Sequence, residues 1–279
     1  MKNILVLGAS GFLGFNLCEK LYEDKDNYVI GVDRDISNIP RVVPLHAKFD
    51  LTNPKMCEML FDEYEFDDIY QFAADSGNIN YLNSKDYGYG TSTLININII
   101  RSLKGKKFNK IVFPSSDYTR DFELNDYGLE KKYNEQLYRR SGLPIKIVTL
   151  SSVYGVWDSG EKNEKVFNAL CRKTAEAKYG DTIKVHGDGR LRSFVHVDDA
   201  VNMIIDTDKD LDIKSLISVS IPHLCRTINE ITKKNINFVF DYQYPIDVKY
   251  NKDFIYTKPI TEGIEEVYSY YTERIKNGY

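Results

Sequence analysis

The chain has 279 residues, enough for one large domain or for a core domain with a smaller lobe. It carries 37 lysines and arginines against 41 aspartates and glutamates, a net charge of -4, so it offers no basic field for nucleic acid. Cys18, Cys57, Cys171 and Cys225 show no paired spacing and read as reduced thiols of a cytoplasmic protein; the four histidines are scattered, so no metal site is expected. No apolar run approaches the ~20 residues of a membrane span, and with a strand pattern beginning at residue 3 no signal peptide is expected.

Asn3 to Leu7 is an apolar run ended by Gly8, the pattern of a buried parallel strand. Phe12 to Tyr22 repeats its apolar residues at helical spacing, and Tyr28 to Val32 is a second apolar run closed by Asp33. Pro54 to Tyr64 is predicted helical, with Thr52 or Asn53 as cap and the proline in its first turn. Asp68 to Ala74 and Lys110 to Phe113 are further strands, with a helix from about Ser92 to Leu103 between them. Tyr127 to Arg140 is a strongly polar helix and Ile145 to Leu150 another buried strand. Strand and helix alternate, which predicts an α/β fold with a Rossmann-like doubly wound parallel sheet. After Leu150 the pattern loosens, as expected where a second, smaller lobe is inserted. Asp198 and Asp199 are predicted to cap a helix from Ala200 to Ile205, and Pro259 to Tyr271 reads as a final amphipathic helix.

The run Gly8-Ala9-Ser10-Gly11-Phe12-Leu13-Gly14 lies between the first strand and the first helix. A turn there must let backbone approach a pyrophosphate and then present helix N-terminal amides to it. Gly8 permits the turn, Gly11 the close approach, and Gly14 tight helix packing. Asp33 follows at the end of the second strand, where a carboxylate accepts hydrogen bonds from the adenosine ribose and repels a 2′-phosphate. This spacing predicts NAD rather than NADP, with Arg34 beside Asp33 weakening the preference.

Tyr127 and Lys131 stand one helical turn apart, on one face. A nearby ammonium and a nicotinamide cation favour a phenolate, so Tyr127 is a candidate base for a sugar hydroxyl while hydride leaves for NAD. Ser116, beyond the strand Lys110 to Phe113, is placed to hold that hydroxyl. Taken alone, a tyrosine and lysine at this spacing describe an exposed helix face; the upstream glycine turn makes the pair specific.

With these motifs the chain resembles the extended short-chain dehydrogenase/reductase family of nucleotide-sugar enzymes. The resemblance rests on Gly8 to Gly14, Asp33, Asp50-Leu51, Ala73-Ala74, Ser115-Ser116, Tyr127 with Lys131, Gly187-Asp188-Gly189 and Arg192-Ser193-Phe194. It implies that Asp50, Leu51, Ala73 and Ala74 join Phe12, Leu13, Arg34, Tyr127 and Lys131 around NAD. It also implies an NAD-binding domain over residues 1–150, a substrate-binding lobe mainly over 151–279, a segment of about 180–206 returning to the first domain, and a homodimer. His196 is expected to be a hydrogen-bonded structural residue.

Within that family, Ala73-Ala74-Asp75 with Gly77, the Tyr127-to-Lys131 segment, Glu164-Lys165 and Ala169 to Lys173 are similar to segments of the GDP-mannose 3,5-epimerases. By position, Lys165 matches a catalytic lysine acid/base. Gly77, Asn78, Ser116, Ser152, Lys173 and Arg192 fall at substrate-binding positions, Arg192 as a candidate for the diphosphate. Tyr118 stands where those enzymes have a catalytic cysteine, the Ser116-to-Tyr127 loop is short, and Ser152 replaces an expected asparagine. The leading expectation is epimerisation of an NDP-hexose or NDP-heptose, GDP-linked, by C4 oxidation, proton exchange at C3 or C5 through Lys165, with Tyr118 in place of the thiol, and hydride return. The alternatives are a 4-epimerase or C4 dehydrogenase/reductase needing only Ser116, Tyr127 and Lys131, a 4,6-dehydratase, and a non-catalytic NAD-binding protein.

Overall fold

A computed structural model describes the chain except for residues 78, 83, 85–87, 121–125, 157–163, 187, 188, 244–246, 256 and 279. The chain forms two compact units: Met1–Leu150 with Val201–Asp212, and Ser151–Ala200 with Ile213–Tyr279. The stretch returning to the first unit therefore starts at Val201; residues 180–200, expected to return with it, belong to the second. The reason is strand pairing, since the strands of that stretch bond to partners in the second unit.

The first unit runs β1 (Lys2–Leu7), α1 (Phe12–Glu23), β2 (Asn27–Asp33), β3 (Leu45–Lys48), α2 (Pro54–Glu63), β4 (Asp68–Gln71), α3 (Ile79–Leu82), α4 (Thr91–Ser102), β5 (Lys110–Ser116), a 3-10 turn (Asp117–Arg120), α5 (Asp126–Ser141) and β6 (Ile145–Leu150). Its sheet has the order β3-β2-β1-β4-β5-β6, extended beyond β6 by Leu211–Ile213. Every pair from β3 to β6 is parallel. The strand order reverses between β1 and β4, and the carboxyl ends flanking such a reversal form the ligand crevice of an open α/β sheet. The strands are buried apolar runs because helices cover the sheet: Leu5, Leu7, Val32, Ile69, Ile111 and Phe113 share one core with Leu60 of α2 and Ile99 of α4. Asn53 caps α2 by accepting from the amides of Lys55 and Met56, as the Asn-Pro pair predicts.

Strand β5 runs on to Ser116, three residues beyond the expected end. Pro114 obscures this in the sequence, because proline breaks central ladders. Its missing N–H costs nothing here: the β4–β5 ladder ends at Tyr70 with Val112, short of the proline.

The second unit comprises β7 (Ser152–Tyr154), α6 (Val166–Glu176), β8 (Thr182–Val185), β9 (Arg192–His196), α7 (Val197–Asp206, from its start to Ala200), β10 (Leu211–Ile213, its last residue), β11 (Ile217–Val219), α8 (Ile221–Thr232), β12 (Asn237–Phe240), β13 (Val248–Tyr250) and α9 (Ile260–Lys276). Strands β13, β11, β9 and β7 form one sheet and β12 pairs with β8. Tyr154, Phe167, Phe194, Leu224, Ile264 and Val267 form its core. Helix α7 begins at Val197, so Asp198 and Asp199 lie in its first turn rather than at the cap. Carboxylates there complement the helix dipole, and Asp199 also accepts from the Lys258 amide at 2.7 Å. His196 is buried and lies 3.3 Å from both Glu266 and the Lys258 ammonium, a structural cluster as expected. Among the described residues no helix is long and apolar enough to cross a membrane, and no group of three or more potential metal ligands occurs.

Candidate functional site

The glycine turn stands at the carboxyl end of β1, beside the sheet reversal. Gly8 has φ +81°, and a Cβ on it would lie 2.6 Å from the Ala73 nitrogen, so the turn touches the loop that follows β4. A Cβ on Gly14 would lie 2.1 Å from the Gly8 carbonyl oxygen. Helix α1 is thereby drawn against the turn. Its N-cap is Gly11, with no side-chain cap and no acidic residue in the first turn, so its leading amides face no competing carboxylate from that turn. Backbone this close, with amides of this orientation, fits a dinucleotide pyrophosphate. Phe12 and Leu13 open the helix, half-buried.

Asp33 closes β2 and accepts from the Ser10 amide at 3.1 Å and the Asp35 amide at 3.3 Å. Two bonds leave acceptor capacity on the carboxylate for a ribose diol. Arg34 is exposed, and its positive charge helps hold the Asp50 carboxyl below its usual range, after the larger effect of the Thr52 hydroxyl and amide. Leu51 is buried, and Asn98 of α4 donates to the carbonyls of Leu51 and Thr52 at 2.9 and 3.0 Å. The Ala73 end is fixed in the same way. Gln71 brackets Ala73, donating to its carbonyl at 2.9 Å and accepting from its amide at 3.2 Å, and also donates to Asn96 of α4. Ala74 follows, and the Asp75 amide donates to Ser92 at 3.0 Å. Asp33→Asn keeps an acceptor for Ser10 but removes the charge. It is expected to weaken NADH binding by about 10–100-fold and to narrow the gap to NADPH, as read by fluorescence titration with both cofactors.

The same unit brings the hydride-transfer candidates together. Ser116 ends β5, buried, and Tyr127 of α5 is hydrogen-bonded to it. Lys131 is buried one turn along, donates to the Pro114 carbonyl at 3.0 Å, and has its ammonium 5.9 Å from the centre of the Tyr127 ring. Tyr118 packs edge-on against Tyr127, ring centres 6.2 Å apart. Burial pushes the Tyr127 phenol well above its usual range, and Asp117, Tyr118 and Glu130 push it further, against the opposing Ser116 hydrogen bond. The expected lowering is therefore not a property of the protein alone, because dehydration and negative neighbours outweigh the Ser116 hydrogen bond.

Gly77 is buried against Tyr81, whose hydroxyl donates to Asp75 at 2.7 Å; Asn78, Gly187 and Asp188 lie outside the described residues. Ser152, Lys165, Lys173 and Arg192 belong to the second unit. Ser152 opens β7 beside Phe194, and Arg192 opens β9. Lys173 is an exposed residue of α6. Lys165 is the N-cap of α6 and exposed, following Glu164, whose carboxylate takes a two-pronged bond from Arg172 at 2.9 Å in each arm.

The sequence reading missed Gln71, Asn96, Asn98, Glu130 and Tyr138, which hold the site from behind. They form no spacing pattern in the sequence, because their partners come from other elements of the folded unit.

Residues 4–207 match the model of the family described as NAD dependent epimerase/dehydratase family. An uncharacterized UDP-glucose epimerase of Bacillus subtilis (strain 168) is 26% identical over 229 residues, covering 72% of this chain and 71% of its own. A UDP-glucuronic acid decarboxylase of Arabidopsis thaliana is 23% identical over 280 residues, covering 89% and 80%. The crystal structure of a UDP-glucose 4-epimerase from Thermotoga maritima, solved with UDP-glucose, superposes with a TM-score of 0.81 at 20% identity, over 98% of this chain and 99% of that one.

Proposed function

Because the chain belongs to the NAD dependent epimerase/dehydratase family, we propose that it inverts a sugar carbon of a UDP-hexose by transient oxidation at C4. The observation that carries this reading is the convergence of Ser116, Tyr127 and Lys131 in one unit, beside a glycine turn that fits NAD. Bound NAD supplies the hydride acceptor and, once reduced, the donor. Ser116 holds the substrate hydroxyl, and Tyr127 takes its proton as the carbonyl forms and gives it back on return. Lys131, fixed by the Pro114 carbonyl, keeps a positive charge within reach of the Tyr127 ring and favours its ionised form. A UDP-linked substrate is favoured by the similarity to the UDP-glucose epimerase of Bacillus subtilis.

A second reading keeps the GDP-mannose-type 3,5-epimerisation, with Lys165 exchanging protons at C3 or C5. One observation favours it: Lys165 stands exposed at the N-cap of α6, where its side chain can meet a ligand. Against it stands the want of a thiol. Position 118 is tyrosine, and Cys18, Cys57, Cys171 and Cys225 are buried with their thiols pushed up.

Incubation with UDP-glucose, UDP-glucuronic acid or GDP-mannose in deuterium oxide separates the readings. A C4 epimer without solvent deuterium is the expected product, detected by proton NMR. Deuterium at C3 or C5 of GDP-mannose replaces the first reading with the second. Binding of none of these sugars in thermal-shift measurements that do show NAD binding overturns both.

A further inference from the structure

The inner face of α5 is polar along its whole length. Tyr127, Glu130, Lys131, Asn134 and Tyr138 fall within one stripe of the helix. Such a seam is tolerated when its members find partners. Glu130 accepts from the Thr93 amide at 2.8 Å and from its hydroxyl at 3.1 Å. Lys131 donates to Pro114, and Tyr138 donates to Asn96 at 2.9 Å, the same oxygen to which Gln71 donates. Asn134 departs from this pattern. Its side chain is wholly buried, and neither the amide nitrogen nor the amide oxygen has a hydrogen-bonding partner among the described residues.

A buried amide can make three or four hydrogen bonds, and native interiors satisfy such groups through protein or ordered water. The helical neighbours of Asn134 along the stripe are Lys131, three residues before it, and Tyr138, four residues after it. The Tyr138 oxygen keeps a lone pair after donating to Asn96. We infer that Asn134 anchors an internal water site that joins the Lys131 turn of α5 to the Tyr138–Asn96–Gln71 chain. That chain ends on Ala73 at the cofactor crevice. Asn134 is on this account a positioning residue for Lys131 and the Ala73 loop, one step removed from the reacting atoms. The catalytic side of the inference rests on the proposed hydride chemistry; the water site does not.

A high-resolution crystal structure of the whole chain tests the site directly. An ordered water within about 3 Å of both Asn134 amide atoms is expected, and a dry interior there overturns the inference. Asn134→Leu tests the positioning role, with Asn134→Ser as the conservative rescue. The leucine variant is expected to bind NADH about three- to tenfold more weakly without a higher melting temperature, and serine to restore most of that loss. If leucine raises the melting temperature and leaves NADH affinity and the pH profile of turnover unchanged, Asn134 is an idle buried amide. If leucine prevents folding, Asn134→Ala is read by the same criteria. Parallel assay of Tyr127→Phe keeps the two readings apart: retained turnover there sinks the chemistry but leaves the water site to its density and the NADH titration.

Discussion

Replacing Tyr127 with phenylalanine is expected to lower kcat for nucleotide-sugar turnover by roughly 10²–10⁴-fold while the chain still folds and binds NADH. The substitution removes one hydroxyl and keeps the ring, so the edge-on contact with Tyr118 survives. The hydrogen bond to Ser116 is lost, and with it the group proposed to take the sugar proton. Ser116 retains its contacts with the Tyr118 amide at 3.3 Å and, through its carbonyl, with the Thr119 hydroxyl at 2.8 Å, so the end of β5 stays in place.

The pH dependence has a definite sign. Burial, first, and then Asp117, Tyr118 and Glu130 raise the Tyr127 pKa. A raised pKa leaves the phenol protonated at neutral pH, so a reaction needing the phenolate accelerates as pH rises toward that value. Positive charge brought by the oxidised cofactor moves the rise to lower pH, because it favours the ionised form. The wild-type chain should therefore show a rising alkaline limb in kcat that Tyr127→Phe lacks. Steady-state kinetics of both proteins across the alkaline range check this. Equal kcat, or a limb that persists in the phenylalanine variant, removes Tyr127 from the chemistry.

The parts of the site legible in the sequence share a physical trait: each imposes a local pattern. Gly8, Gly11 and Gly14 mark backbone approach, Asp33 marks a strand end, and Tyr127 with Lys131 mark one turn of helix. The supporting residues impose none. Asn96 and Asn98 lie two apart on α4 and serve different loops, Asn96 the Gln71–Ala73 bend and Asn98 the Leu51–Thr52 carbonyls. Their partners are 25 and 47 positions away in sequence, so only the assembled sheet reveals them. The end of β5 was hidden by Pro114 for a related reason. Whether a proline interrupts a strand depends on where the neighbouring strand stops, which is a tertiary fact.

Gly14→Ala is expected to weaken NADH binding by about 10²-fold and to lower the melting temperature by several degrees. The new Cβ would sit 2.1 Å from the Gly8 oxygen, 2.9 Å from the Gly8 carbonyl carbon and 3.0 Å from the Ala9 Cα. All three are backbone atoms, so no side chain can rotate away. Helix α1 must retreat by about 1 Å, and overpacking of this kind costs about 1–3 kcal/mol. At roughly 2–4 °C per kcal/mol for a chain of this class, the cost is visible in a thermal melt. The retreat also carries the amides at the head of α1 away from the pyrophosphate position, and a misplacement of about 1 Å is enough for a loss near 10²-fold. Gly11→Ala provides the contrast. A Cβ there meets only the Gly8 oxygen, at 3.3 Å, and the backbone has an ordinary negative φ of -80°. That variant should melt close to wild type yet bind NADH poorly, because its methyl group occupies the exposed side where the dinucleotide approaches. Circular dichroism melts paired with NADH fluorescence titrations distinguish the two. A Gly14→Ala protein that melts and binds like wild type would show that α1 and the turn are not held together as the structure has them.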